Sequence, residues 1–239
     1  MSFLSCIHYR RGHVANVTAS NVNRSKSKGM SHITGYNQIP SPPPIDFDKL
    51  LANSDPNWIR YQVSYKSDIM NKALSNYMAA IPRTPHADKA IKQQWLAPAL
   101  PGQTWKTDML GLVVDAAIPA IENFYPDSPH STKATADKCI ITARDGPPQE
   151  VPQWSAPRFY PTVNMSMDIK KALPDEGVKW LFVLVRTKDV REGRFDNLVE
   201  VWDESGELVA LSQQLWMAVE IDVAALKGRR RGPGPSGKL

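Results

Sequence analysis

Only two cysteines, Cys6 and Cys139, occur among 239 residues. That is too few for a disulfide framework, and neither has a partner at metal-ligand spacing, so neither bridges nor a zinc site organise this chain. No run of 18 apolar residues is present, so no segment reads as a membrane span. Glycine-rich phosphate loops of the Walker or dinucleotide type are also missing. Aspartate and glutamate are absent from residues 1–45 and again from Lys227 to Leu239. The formal charge of +5 therefore sits largely at the two ends, and the near-neutral middle argues against nucleic acid as a partner. The five histidines are His8, His13, His32, His86 and His130. None lies in the four strands expected from Tyr160 onward, which removes an obvious Ser-His-Asp triad and weakens a His-dependent hydratase.

With 42% hydrophobic residues, the chain has enough apolar material for a real core. Two short strands are expected at Val14–Ser20 and Ser31–Ile39, followed by the extended Pro40–Pro44 run. Short helices are expected at Asp46–Leu51 and Lys66–Ala73, and a strand at Leu74–Ile81. Residues Thr107–Phe124, TDMLGLVVDAAIPAIENF, form the strongest helix candidate, apolar on every side and hence buried all round. Asp115 is then a lone carboxylate at its centre, with Arg186 as one conceivable ion-pair partner, and Pro119 should bend the helix. Gly111, one turn before Asp115, permits close approach of a backbone or a ligand.

Four further strands are expected at Tyr160–Ile169, Lys179–Lys188, Phe195–Asp203 and Glu207–Glu220. Their connections are short, so neighbours should pair antiparallel. The last strand carries an amide pair, Gln213 and Gln214, inside an apolar run. An unpartnered buried amide costs about 1 to 3 kcal/mol, so the pair needs hydrogen bonds, solvent or a chemical role. One apolar helix wrapped by an antiparallel sheet is an α+β hotdog fold.

The segments NFYPDS, FYPTVNMSMDIKKALPDEGVKWLFVLVRTKDV and EGRFDNLVEVWDESGELVALSQQ resemble the acyl-CoA thioesterase II-like double-hotdog family, particularly its fungal thioesterase-like branch. The resemblance spans roughly residues 40 to 222 and implies hydrolysis of acyl-CoA by water, with no covalent enzyme intermediate, cofactor or metal. It assigns Asp115 in GLVVDAAIP as the base, with Thr162 in YPTVNMSMD and Gln214 in ELVALSQQ holding the water. Spacing from Leu-Val-Ala selects Gln214, with Gln213 the alternate. Strand parity groups Gln213 with Val209, Leu211, Leu215 and Met217, and Gln214 with Ala210, Ser212 and Trp216. Gly111 and Asn164 complete the expected substrate-binding set.

The implied organisation is one complete hotdog at 57–222 and a remnant of a second at 1–39, joined by a Pro-rich linker at 40–56, with a basic tail at 223–239. The 1–39 segment reads alternatively as a targeting sequence, being acid-free and rich in Arg, Ser and Lys. Because the family's acyl-CoA site lies between two hotdogs, the resemblance implies a homodimer, a partner hotdog, or an inactive product. The competing reading is a non-catalytic module that binds an acyl group or a subunit. The closing Gly237-Lys238-Leu239 differs from the peroxisomal Ser-Lys-Leu at one position, pointing to a cytoplasmic or peroxisomal location.

Overall fold

Strands form here where β-branched and aromatic residues can fill both faces of a pleated surface. The computed structural model describes residues 2–9, 12–20, 32, 34–62, 76–116, 120–125, 128, 131–137 and 158–220. The chain divides into two units, Met1–Asn37 and Gln38–Leu239. In the first, β1 (Ser2–Tyr9) pairs antiparallel with β2 (Gly12–Ser20). The strand expected at Ser31–Ile39 is not seen among its described residues, where Gly35 turns the backbone to φ +73°. The expected helix at Lys66–Ala73 and the bend at Pro119 lie outside the described residues.

The second unit contains α1 (Phe47–Leu51), β3 (Trp58–Gln62), β4 (Tyr77–Pro82), β5 (Ile91–Pro98) and α2 (Leu110–Asp115). After these come β6 (Arg158–Phe159), β7 (Thr162–Ile169), β8 (Leu181–Arg191), β9 (Arg194–Trp202), β10 (Leu208–Met217) and β11 (Val219–Glu220). Seven of the strands make one antiparallel sheet in the order β3-β4-β5-β8-β9-β10-β7, and β6 pairs with β11. Strands β3 and β5 have no counterpart in the sequence reading.

The β8–β9 and β9–β10 hairpins match the expected neighbour pairing. Glu192 and Gly193, both at positive φ, form the two-residue turn that suits the twist of β8 and β9. Strand β7 departs from the expectation, pairing with β10 instead of β8. Its exit does not fold back as a hairpin, because Leu173 donates its N–H to Thr107 Oγ1 (2.9 Å) and Val178 pairs with Trp105. Gly177, at φ +78°, makes this crossing possible: a Cβ there would stand 2.6 Å from the Trp105 carbonyl oxygen.

From β3 to β10 most of the sheet is buried on both faces, whereas β7 is exposed along nearly all of its length. One face packs Leu110, Val113 and Val114 of α2 against Val183, Val185, Val199 and Val201. The other holds Trp58, Trp95, Trp180, Phe182 and Trp202, with Phe47 of α1 stacked on Trp180 at 5.1 Å. Asp46 caps α1 by accepting from Lys49 N–H, as its side chain allows.

The expected 107–124 helix is shorter and less enclosed than its composition suggests. A 3₁₀ turn at Thr107–Met109 leads into six α-helical residues, and a second 3₁₀ turn occupies Ala120–Phe124. Only one stripe of α2 meets the sheet, so Leu112 stays 38% exposed and Asp115 faces solvent instead of being buried. Arg186 is not its partner: it lies on the opposite sheet face and donates to the Ile39 carbonyl.

Candidate functional site

A helix end leaves its last carbonyls without intrahelical donors. At the end of α2, two side chains from separate strands supply them. Gln214 Nε2 donates to the Val114 carbonyl at 3.1 Å, and Tyr77 Oη donates to the Ala116 carbonyl at 2.8 Å. Asp115 sits between these two anchored peptides. Its Oδ1 accepts a hydrogen bond from Thr162 Oγ1 at 3.0 Å.

Thr162 reaches Asp115 because β7 carries a β-bulge. Asn164 pairs with Leu215, yet Thr162 pairs with the next residue, Trp216, leaving Val163 as the extra residue. Simple alternation would put Thr162 and Asn164 on one face. The bulge instead turns Thr162 toward α2 and leaves Asn164 on the other side of the sheet, exposed. Gly111 is half-buried on α2, with open space where a Cβ would be.

Parity separates the two glutamines. Gln214 is 2% exposed and faces α2, whereas Gln213 is exposed on the far face, opposite Leu198 and Ser166. Trp216 Nε1, a donor only, gives its proton to Gln214 Oε1 at 2.7 Å, which orients the amide. Its Nε2 then meets Val114 O, Ser212 Oγ at 3.2 Å and Met165 Sδ at 3.4 Å. Trp216, Ser212 and Tyr77 were not singled out from the sequence. Trp216 and Ser212 stand two positions either side of Gln214, where strand parity groups them with it without giving them a role.

Behind the site, Trp216, Phe195, Tyr160 and Ile121 form a small apolar cluster. Tyr160 Oη and Ser128 Oγ both donate to the buried Glu122 carboxylate. Burial, followed by the bond to Glu122, pushes the Tyr160 phenol well above its ordinary range. Tyr77 is likewise raised, first by burial and then by Tyr61 and Asp115. Lys92, 2% exposed on the α2-facing side of β5, is lowered to about 8 by burial, with Glu122 pulling the other way. No group of three or more metal-ligating side chains occurs among the described residues, and no helix among them is long and apolar enough to cross a membrane.

Residues 42–218 match the family described as Acyl-CoA thioesterase C-terminal domain. A thioesterase-like protein, TwmA, from Talaromyces wortmannii is 30% identical over 207 residues, covering 81% of this chain and 57% of its own length. A hot dog fold protein of unknown function from Alicyclobacillus acidocaldarius superposes with a TM-score of 0.54 at 15% identity, covering 90% of this chain and 65% of that one. A thioesterase II candidate from Thermobifida fusca gives a TM-score of 0.50 at 16% identity, over 86% of this chain and 61% of that one. This chain thus spans less than two thirds of each of these relatives. Its fold is an α+β hotdog.

Proposed function

The chain belongs to the acyl-CoA thioesterase C-terminal domain family, and we propose that it hydrolyses a fatty-acyl or polyketide-type CoA thioester. In this reading Asp115 takes a proton from water as it attacks the thioester carbonyl, and Thr162 and Gln214 hold that water in line. The observation that carries the reading is the 3.0 Å contact from Thr162 to Asp115, made beside a helix end that Gln214 anchors. Gly111 leaves room for substrate at the same helix. The site is open to solvent in a single chain, so a second hotdog, most simply another copy, is proposed to cover it. Placement in the cytoplasm or peroxisome, from Gly237-Lys238-Leu239, is proposed with it and is tested by imaging a chain with that tripeptide intact or deleted.

Asp115→Asn in the purified protein is expected to lower kcat by about 10²-fold to 10⁴-fold on short-, medium- and long-chain acyl-CoAs. Asp115 is exposed, so the variant should keep its fold by circular dichroism. Wild-type activity in Asp115→Asn would refute the assignment. One observation favours the second reading, a module that binds without turnover: every polar atom of Gln214 already has a protein partner. Under that reading acyl-CoA binds with measurable affinity and no thiol is released by wild type.

A further inference from the structure

The loop before β5, the 3₁₀ turn at Ala120–Phe124 and residues 131–137 enclose a cavity of about 450 Å³ that the catalytic reading does not use. That volume is in the range of small-ligand sites. Among the described residues lining it, His86, Lys89 and Lys133 are basic and none is acidic. The cavity is built in advance by Asn123, which also lines it. Asn123 Nδ2 donates to the carbonyls of Lys89 (3.1 Å) and Ile91 (3.4 Å), while its Oδ1 accepts from Thr132 N–H (2.9 Å). One side chain thereby joins all three walls.

The chemistry of the lining favours an anion. His86 Nδ1 accepts from Asp88 N–H at 3.0 Å, an arrangement that in the neutral ring leaves the proton on Nε2. Among the described residues Lys133 is engaged by Asp137, an exposed i,i+4 pair at 2.6 Å of the kind that contributes little and yields to a stronger anion. Ser131, which also lines the cavity, adds a hydroxyl that accepts from Ala134 N–H at 3.1 Å and keeps its own proton to donate. Tyr125 adds an aromatic wall, with the Arg158 guanidinium 3.6 Å from its ring centroid. Cations, a serine hydroxyl and a ring together match a phosphorylated nucleotide better than an acyl chain.

The same stretch of chain reaches the hydrolytic site. Ile121, on the inner side of the 3₁₀ turn, packs in the cluster containing Trp216, which orients Gln214. We propose that this cavity binds the phosphate-bearing nucleotide end of a CoA thioester, an assignment that rests on the thioesterase reading above.

The test compares an acyl-CoA with the N-acetylcysteamine thioester of the same acyl group, which lacks the nucleotide. In Lys89→Gln/Lys133→Gln, loss of two charge-assisted contacts is expected to raise KM for the acyl-CoA about tenfold at unchanged kcat. Parameters for the truncated thioester should stay within twofold of wild type. Equal effects on both substrates, or none on either, overturn the proposal. Should wild type hydrolyse neither thioester, the thioesterase reading fails and calorimetry with adenosine 3′,5′-bisphosphate decides the cavity separately. Saturable binding weakened in the double variant supports it, and its absence overturns it.

Discussion

Lys92 shows how one side chain can set the pH response of this molecule. Burial lowers its pKa from 10.5 to about 8, a shift that corresponds to about 3 kcal/mol of cost for keeping the charged amine inside. Below pH 8 the ammonium is charged in both folded and unfolded chains, so the whole cost is present. Between about 8 and 10.5 the unfolded chain holds the extra proton, and stability rises with pH. Tyr77 and Tyr160, with raised pKa values, act oppositely: stability begins to fall once unfolded tyrosines ionise near pH 10. The clean window for Lys92 is therefore pH 8 to 10. Lys92→Met should be more stable than wild type at pH 7.5, with the gap shrinking by about 2 kcal/mol by pH 10. Urea denaturation at three pH values measures this, and a gap independent of pH would count against a buried amine with a lowered pKa.

Helix α2 owes its end to the sheet. Its carbonyls at Val114 and Ala116 are held by Gln214 from β10 and Tyr77 from β4, so Asp115 is positioned by two strands far apart in sequence. Tyr77→Phe keeps the ring and deletes the donor, leaving a buried carbonyl unpaired at a cost of about 1 to 3 kcal/mol. If Tyr77 positions Asp115, kcat should also fall severalfold while KM is retained. A variant with lower melting temperature but wild-type kcat would make Tyr77 merely structural. Neither Tyr77 nor β4's partner β5 was legible as part of a site, because no local pattern links position 77 to position 116. What was legible had a local signature: the three C-terminal hairpin strands, their turns, and Asp115, Thr162 and Gln214 through family motifs. Asn164 illustrates the limit. Period-two alternation groups it with Thr162, and only the bulge at Val163, a product of pairing with β10, sends the two to opposite faces. The helix was misjudged for a similar reason. An all-apolar sequence implies burial on every side, yet only one stripe of α2 has a layer to pack against in this chain.

The second unit carries its hydrolytic candidates beside one edge of its sheet. Strand β7 ends the seven-stranded sheet, so its outer N–H and C=O groups have no strand partner among the described residues. It also exposes Val163 (54%), Met165 (42%) and Met167 (39%) beside Leu112 (38%) of α2. An open edge joined to an apolar surface invites pairing with another chain. Chemistry argues the same way, since dipoles and donors stabilise a developing oxyanion far better where water is excluded, and Asp115 and Thr162 are open to solvent here. The proposed second copy would meet both needs by docking over β7 and α2. Sedimentation equilibrium should then give a dimer mass for wild type and for Asp115→Asn. Val163→Glu/Met167→Glu places two charges on the apolar surface without touching the acid, and should yield a monomer. Its kcat/KM should drop by about tenfold or more, because the uncovered site leaves its charges in water. Activity that survives in a monomeric double variant would show that one chain is sufficient, and the covering role of a partner would be abandoned.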